Sequence, residues 1–194
     1  MEEWLGDPLN HAVEPCRDLD VDTCYRDGWA LAHPVTGEPP WNEALPYFKD
    51  GCGRRHASAC AYLGLLYQYG VGVEQNDWMA FALHERACAL GDSQVSCFDA
   101  AFLLLGRKDH SKADETRAIE WLKRSCDAGS AIACYNRGVY AASDEAGRVW
   151  YQRACGLGDE ISCNLLTKPP PPAALPLPPA HSRKELPPTV VLPP

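Results

Sequence analysis

The chain has 194 residues, which is long enough for one domain with its own hydrophobic core. Its formal net charge of −8 at pH 7 argues against a protein that binds nucleic-acid phosphates. No apolar run approaches the roughly 20 residues that a membrane-spanning helix needs. The sequence therefore predicts neither a nucleic-acid partner nor a membrane span.

The ten cysteines form closely spaced pairs that recur along the chain. The pairs are Cys16 and Cys24, Cys52 and Cys60, Cys88 and Cys97, Cys126 and Cys134, and Cys155 and Cys163. Their first members recur at intervals of 36, 36, 38 and 29 residues. An internal repeat of this kind selects one local pairing, so we predict five local disulfides.

The fourth pair lies in the segment AIEWLKRSCDAGSAIAC. In a straight helix, eight residues would separate the two Cα atoms by about 12 Å, whereas a disulfide needs about 7 Å or less. Either the thiols are unrelated or the chain reverses between them. Gly129 suits a left-handed helix C-cap and Ser130 suits an N-cap, which predicts a helix ending near Asp127 and a second beginning near Ala131.

The same turn is predicted elsewhere in the chain. Gly91 and Gly158 repeat the turn glycine, and each is followed by a predicted N-capping aspartate, Asp92 or Asp159. Arg55 replaces the glycine in the segment CGRRHASAC. These patterns predict a series of αα-hairpins.

Each predicted hairpin has a helix A before its first cysteine and a helix B after its second. Helix A carries an apolar or aromatic residue five positions before the cysteine and a small residue eight positions before it. These residues are Tyr47, Leu83, Trp121 and Trp150, and Ala44, Ala80, Ala118 and Gly147. Helix B places Gly64, Ala101 or Gly138 four residues after its cysteine, where a small side chain lets helices approach closely.

The last helix B is short, because NLLTK is followed by Pro169 to Pro172. The stretch 167–194 contains 11 prolines in 28 residues and is predicted to be extended or disordered. Such tails are mostly spacers, and an SH3-type ligand is the alternative. We therefore divide the chain into a repeat domain over residues 1–166 and a Pro-rich tail over 167–194.

Residues 8–166 resemble the Sel-one-like repeat family, a relative of the tetratricopeptide repeats. The segment LGLLYQYGVGVEQNDWMAFALHERACALGD matches the family consensus, and the cysteine pairs resemble its Hcp-type branch. The resemblance implies an all-α, right-handed α/α superhelical solenoid of disulfide-stapled helix hairpins. It also implies a concave face lined mainly by A helices, and protein–protein interaction. Some members have been described as β-lactam-binding or β-lactamase proteins, so the resemblance also implies a hydrolase as an alternative.

The sequence offers few ingredients for catalysis or metal binding. None of the nine serines is followed by a lysine three residues later, as a serine β-lactamase requires. His84 could share a metal with Cys88 on one helix face, although a position in the inter-helix core is favoured. We predict no catalytic residue, no metal and no cofactor. The main hypothesis is a non-catalytic scaffold that binds a protein or an extended peptide.

Arginines recur two positions before the first cysteine of a pair. They are Arg86, Arg124 and Arg153, with Asp50 in the earlier repeat. At 100° per residue this position points away from helix B. We predict that the three arginines bind a carboxylate-bearing partner through bidentate guanidinium contacts, and a solvated helix face is the alternative.

Five regular cysteine pairs predict an oxidising compartment, yet the start of the chain, MEEWLGDPLN, shows no export signal. We expect a secreted or periplasmic protein whose leader is not part of this sequence. The alternative locations are the cytoplasm, with reduced thiols, and the mitochondrial intermembrane space. A thiol-dependent assembly factor in an oxidising compartment is a further alternative function.

Overall fold

The computed structural model describes residues 16–141 and 143–167, and over these residues it contains nine α helices and no strand. The helices are α1 Val21–Ala32, α2 Trp41–Gly53, α3 Ala57–Tyr69, α4 Asp77–Ala89, α5 Ser96–Leu105, α6 Lys112–Asp127, α7 Ala131–Val139, α8 Asp144–Gly156 and α9 Glu160–Thr167. The prediction of an all-α fold of disulfide-stapled helix hairpins is confirmed. Of the predicted Pro-rich tail, residues 167–194, only Thr167 is described, as the last residue of α9; the rest lies outside the described residues, as does the start of the predicted repeat domain.

Side-chain caps explain where several helices begin. Asn76 accepts a hydrogen bond from the Met79 N–H at 3.0 Å and starts α4. Ser111 and Asp114 form a reciprocal capping box at the start of α6. Ser143 caps α8 by accepting from the Ala146 N–H at 3.2 Å. Local sequence therefore fixes the first turn of each of these helices.

The chain forms two compact units, and the first contains α1 to α4. Its core lies where α2 packs on α1 and α3, with the rings of Phe48 and Tyr62 4.6 Å apart. A Cβ atom at Gly28 would lie 2.5 Å from the Tyr47 Cβ, so α1 and α2 meet at a glycine. These helices can approach this closely because the contact position has no side chain.

The second unit contains α5 to α9. Here α6 packs on α5 and α7, while α8 packs on α7 and α9. A Cβ atom at Gly138 would lie 2.5 Å from the ring of Tyr151, so the predicted small-residue contact also occurs between α7 and α8. The buried Ser125 hydroxyl donates to the Gln94 carbonyl at 2.5 Å and ties α6 to the segment before α5.

The cysteine pairs lie where helices A and B meet. The Cα atoms of Cys52 and Cys60 are 4.5 Å apart, and those of the first, fourth and fifth pairs are 4.6 to 5.4 Å apart. Cys88 and Cys97 are also disulfide-bonded. All five pairs therefore lie at disulfide distance.

The turns between paired cysteines largely follow the sequence prediction. Gly129 has a φ of +97°, and Ser130 accepts from the Ala133 N–H at 3.4 Å to start α7. Arg55 adopts the same left-handed conformation, with a φ of +69°, although L-residues other than asparagine and aspartate rarely do so.

One of the two predicted aspartate caps is wrong. Asp159 caps α9 by accepting from the Ser162 N–H at 2.7 Å, as predicted. Asp92 does not cap α5, because residues 93–95 form a turn and the helix begins only at Ser96, with Val95 in the N-cap position. The Asp92 carboxylate instead accepts from the Ser96 hydroxyl at 2.5 Å.

Candidate functional site

The guanidinium of Arg86 contacts the end of the preceding helix A. Its Nη2 donates to the Cys52 carbonyl at 3.1 Å and to the Gly53 carbonyl at 3.3 Å, both at the C-terminus of α2. The last carbonyls of a helix have no intrahelical partner and carry partial negative charge. Arg86 therefore caps α2 and fastens α4 to it.

Arg153 makes a comparable contact in the second unit. Its Nη1 lies 2.6 Å from the Asp127 carboxylate, at the last residue of α6. The other Asp127 oxygen accepts from Lys123 Nζ at 2.9 Å. The hydrogen bonds from Lys123 and Arg153 lower the pKa of Asp127 below its ordinary value. About 44% of the Arg153 side chain stays exposed, so its charge remains available at the surface.

Sequence reasoning missed another arginine that bonds to backbone carbonyls of a preceding repeat, here in the segment before α1. Arg54 donates to the Leu19 carbonyl at 2.8 Å and to the Cys16 carbonyl at 3.3 Å, and it pairs with Asp50 at 3.1 Å. It lies two positions after its cysteine rather than two before, so the search for a fixed register could not find it. Asp50, which occupies the arginine register in this repeat, is the acidic partner of Arg54.

Arg124, the remaining member of the predicted row, is partly buried on α6. Arg86 and Arg153 both contact the end of a preceding helix A. The binding of a carboxylate-bearing partner by the three arginines stays a prediction. The contacts show that at least two of these side chains also hold the repeats together.

The exposed face of α8 combines an apolar side chain with a charge. Val149 is 63% exposed, and Arg153 follows it by four residues, which places the two side chains one turn apart on the same face. We call Val149 and Arg153 the α8 face. Large apolar residues are well exposed at six described positions, namely Val35, Trp78, Ile132, Val149, Leu157 and Ile161. Four of the six lie in the second unit, which makes that unit the better candidate for a partner surface.

His84 lies in the core of the first unit. It is 0% exposed, its Nε2 is 3.2 Å from the Gln68 Oε1, and its ring edge lies 2.9 Å from where a Gly64 Cβ would be. Burial lowers the pKa of His84 to about 3. The neighbouring Cys88 is disulfide-bonded and so offers no thiolate, which disfavours a metal shared by the two.

Ligand atoms of Cys16, Cys24 and Asp50 lie within 4.8 Å of one another. Both sulfur atoms belong to one disulfide, and Asp50 pairs with Arg54. In this oxidised state the group presents one carboxylate that is already neutralised. This charge balance does not favour a divalent cation.

His56 is a second residue whose role the sequence did not reveal. Its Nδ1 accepts from the Ala59 N–H at 3.1 Å and so caps α3, while its Nε2 lies 3.3 Å from the Asp22 carboxylate. The ring stacks on Tyr25 with a centroid distance of 4.6 Å. Burial lowers the pKa of His56 despite the opposing effect of Asp22. A neutral ring suits the cap, since a protonated Nδ1 cannot accept a hydrogen bond.

Within the part of the chain that the structure describes, no helix is both long and apolar enough to cross a membrane. The sequence pattern of the Sel1 repeat family matches residues 57–92, 95–130 and 131–159, which together make up more than half of the chain. No curated protein matches the chain significantly.

Two solved structures are similar in fold. One is the protective antigen c5321 of uropathogenic Escherichia coli strains, which displays an SLR fold. Its sequence is 18% identical to this chain and the TM-score is 0.65; the match covers 76% of this chain and 33% of the antigen. The other is a Sel1 repeat protein from Oxalobacter formigenes, 20% identical with a TM-score of 0.65, with 76% of this chain and 62% of that chain covered. The chain thus spans less than two thirds of either protein, and the similarity establishes the fold.

Proposed function

Because the chain belongs to the Sel1 repeat family, we propose that it is a non-catalytic scaffold that binds another protein or an extended peptide on the concave face formed by its A helices. The fold is typical of protein–protein interaction. The observation that carries the proposal is the α8 face, where an exposed valine lies one turn from an exposed arginine on a helix A. Apolar contact supplies affinity at such a surface, and the charge sets orientation.

The proposed partner carries carboxylates. Arg153 and Arg124 are the arginines proposed to meet them, because both lie on A helices of the second unit. Arg86 belongs to the same sequence register, and its bonds to two backbone carbonyls support a structural contribution as well. Exposed ion pairs contribute only about 0.2–1 kcal/mol each. The arginines would therefore set register, while Val149 and neighbouring apolar atoms would provide most of the free energy of binding.

An oxidising compartment fits this proposal. Five cysteine pairs lie at disulfide distance, and thiols kept reduced in the cytosol rarely form such series. We therefore favour a secreted or periplasmic scaffold.

Crosslinking in the native cell, followed by mass spectrometry, identifies the partner. Its affinity is then measured for Arg124→Ala/Arg153→Ala and for Val149→Glu, with Arg148→Ala as a matched control on another face of α8. We expect at least tenfold weaker binding for the first two variants and a flatter salt dependence for the arginine variant. Parental affinity at low salt in both would contradict the proposed surface. Nitrocefin hydrolysis that is lost on a point mutation would contradict the non-catalytic assignment.

A further inference from the structure

The last disulfide differs from the others in its surroundings. Eight cysteines, from Cys16 to Cys134, are each at most 1% exposed. Cys155 and Cys163 are partly exposed. Their hairpin, α8 and α9, is the final one in the described part of the chain, so no later described helix packs over this pair. Of the five pairs, Cys155 and Cys163 are therefore the most accessible to a reagent in solution.

The helix α9 is short, and little of it is buried. The helix has eight residues, and only Ser162 is buried. The Ser162 hydroxyl is enclosed without a hydrogen-bond partner, and Ile161 is 57% exposed. Helices of this length are marginal in water unless packing holds them. The covalent link to α8 is therefore a large part of what keeps α9 in place.

We infer that the Cys155–Cys163 disulfide is a thiol–disulfide exchange site whose substrate is a dithiol, such as a reduced Cys-x-x-Cys protein, and that its reduction releases α9 from α8. A thiolate of the dithiol attacks one of the two sulfur atoms, the bond between the cysteines breaks, and the other sulfur leaves as a thiolate. The second thiol of the reagent then attacks the mixed disulfide. Two electrons and two protons pass from the dithiol, which becomes a disulfide, to Cys155 and Cys163, which become thiols.

Release of α9 follows from the loss of the short covalent loop. The two cysteines are eight positions apart, and the chain entropy of opening such a loop corresponds to roughly a 100-fold change in the local unfolding equilibrium. The side of α8 that α9 covers then becomes accessible. The change is confined to the last hairpin, since the Cys126–Cys134 pair that joins α6 to α7 is buried.

The order of reduction tests the exchange site in the full-length oxidised chain. Dithiothreitol is added under native conditions, the reaction is quenched at intervals with an alkylating reagent, and mass spectrometry quantifies each cysteine. We expect Cys155 and Cys163 to be labelled at least tenfold faster than the other eight. Labelling no faster than that of Cys126 and Cys134 would overturn the assignment.

Hydrogen exchange tests the release of α9. After selective reduction, amides of residues 160–167 should lose protection about 100-fold while those of α6 keep it. Cys155→Ser/Cys163→Ser should show the same local loss without any reductant. Retained protection of α9 in both the reduced chain and this variant would overturn the release, whatever the labelling order.

Discussion

Acid should destabilise the first unit through His84. Its pKa is about 3 in the folded chain, because burial disfavours the charged ring, against an ordinary value of 6.5. Below pH 6.5 the unfolded chain therefore binds more protons than the folded chain. The free energy of unfolding decreases as the pH is lowered from about 6.5 to about 3. Between pH 7 and pH 5 this single group should lower the free energy of unfolding by about 2 kcal/mol.

The measurement is urea unfolding at pH 7, 6 and 5 with the disulfides kept oxidised, for the parent and for His84→Asn. Asparagine does not titrate in this range, and it is smaller than the histidine ring that meets Gly64. The variant should be less stable at pH 7 because it packs less well, but its loss between pH 7 and pH 5 should be about 2 kcal/mol smaller than that of the parent.

The comparison with the variant is needed because another group titrates with the opposite sign. Burial and the charge of Asp92 raise the pKa of Asp99 to about 7, so its contribution to stability is lost as pH rises from 3.8 towards 7. The parent curve mixes the two effects, and only the difference between parent and variant isolates His84. Equal losses in the two proteins would mean that the folded chain protonates His84, and the reasoning from burial would be wrong.

Three further predictions concern single residues and use urea unfolding at pH 7. Arg55→Gly should stabilise the chain by about 1 kcal/mol, since glycine adopts its left-handed backbone without strain, and a loss would contradict this. Gly28→Ala should destabilise the chain by about 1–3 kcal/mol, because the new Cβ would meet Tyr47. The control Gly156→Ala, which has open space around it, should stabilise the chain by about 0.5–1 kcal/mol. Equal effects of the two substitutions would refute the close contact between Gly28 and Tyr47. Ser162→Ala should stabilise the chain by about 1 kcal/mol, because it removes a buried hydroxyl that has no hydrogen-bond partner. Ser96→Ala should destabilise the chain, because it removes the hydrogen bond to Asp92. A stabilising Ser96→Ala together with a destabilising Ser162→Ala would contradict both assignments.

Features specified by a few neighbouring residues could be predicted from the sequence. The end of α6 at Asp127, the turn at Gly129 and the cap at Ser130 all depend on local backbone geometry, and they lie where predicted. The predicted cap at Asp92 was wrong for a local reason too, since the longer turn after Asp92 places the helix start at Ser96, four residues further on. Local rules thus hold where the spacing is kept and fail where it changes.

Contacts between repeats could not be predicted in the same way. The periodicity singled out Arg86 and Arg153, but a sequence register shows only which side of a helix a residue occupies and not which groups lie opposite it. The opposite groups are the carbonyls that end α2 and the carboxylate that ends α6. Arg54 also donates to backbone carbonyls of the preceding repeat, at Cys16 and Leu19, but from another register.

The use of arginine at the ends of preceding helices affects how a binding surface on these repeats can be recognised. An arginine that caps a helix keeps other N–H donors, and Arg153 remains 44% exposed while it contacts Asp127. The same side chain can therefore stabilise the repeat stack and meet a partner, so a loss of binding on mutation is informative only when the unfolding free energy is measured beside it. Val149 is 63% exposed and carries no charge, so its substitution should change the unfolding free energy less than that of Arg153. The valine, rather than the more conspicuous arginines, is therefore the residue on which the proposed function is best judged.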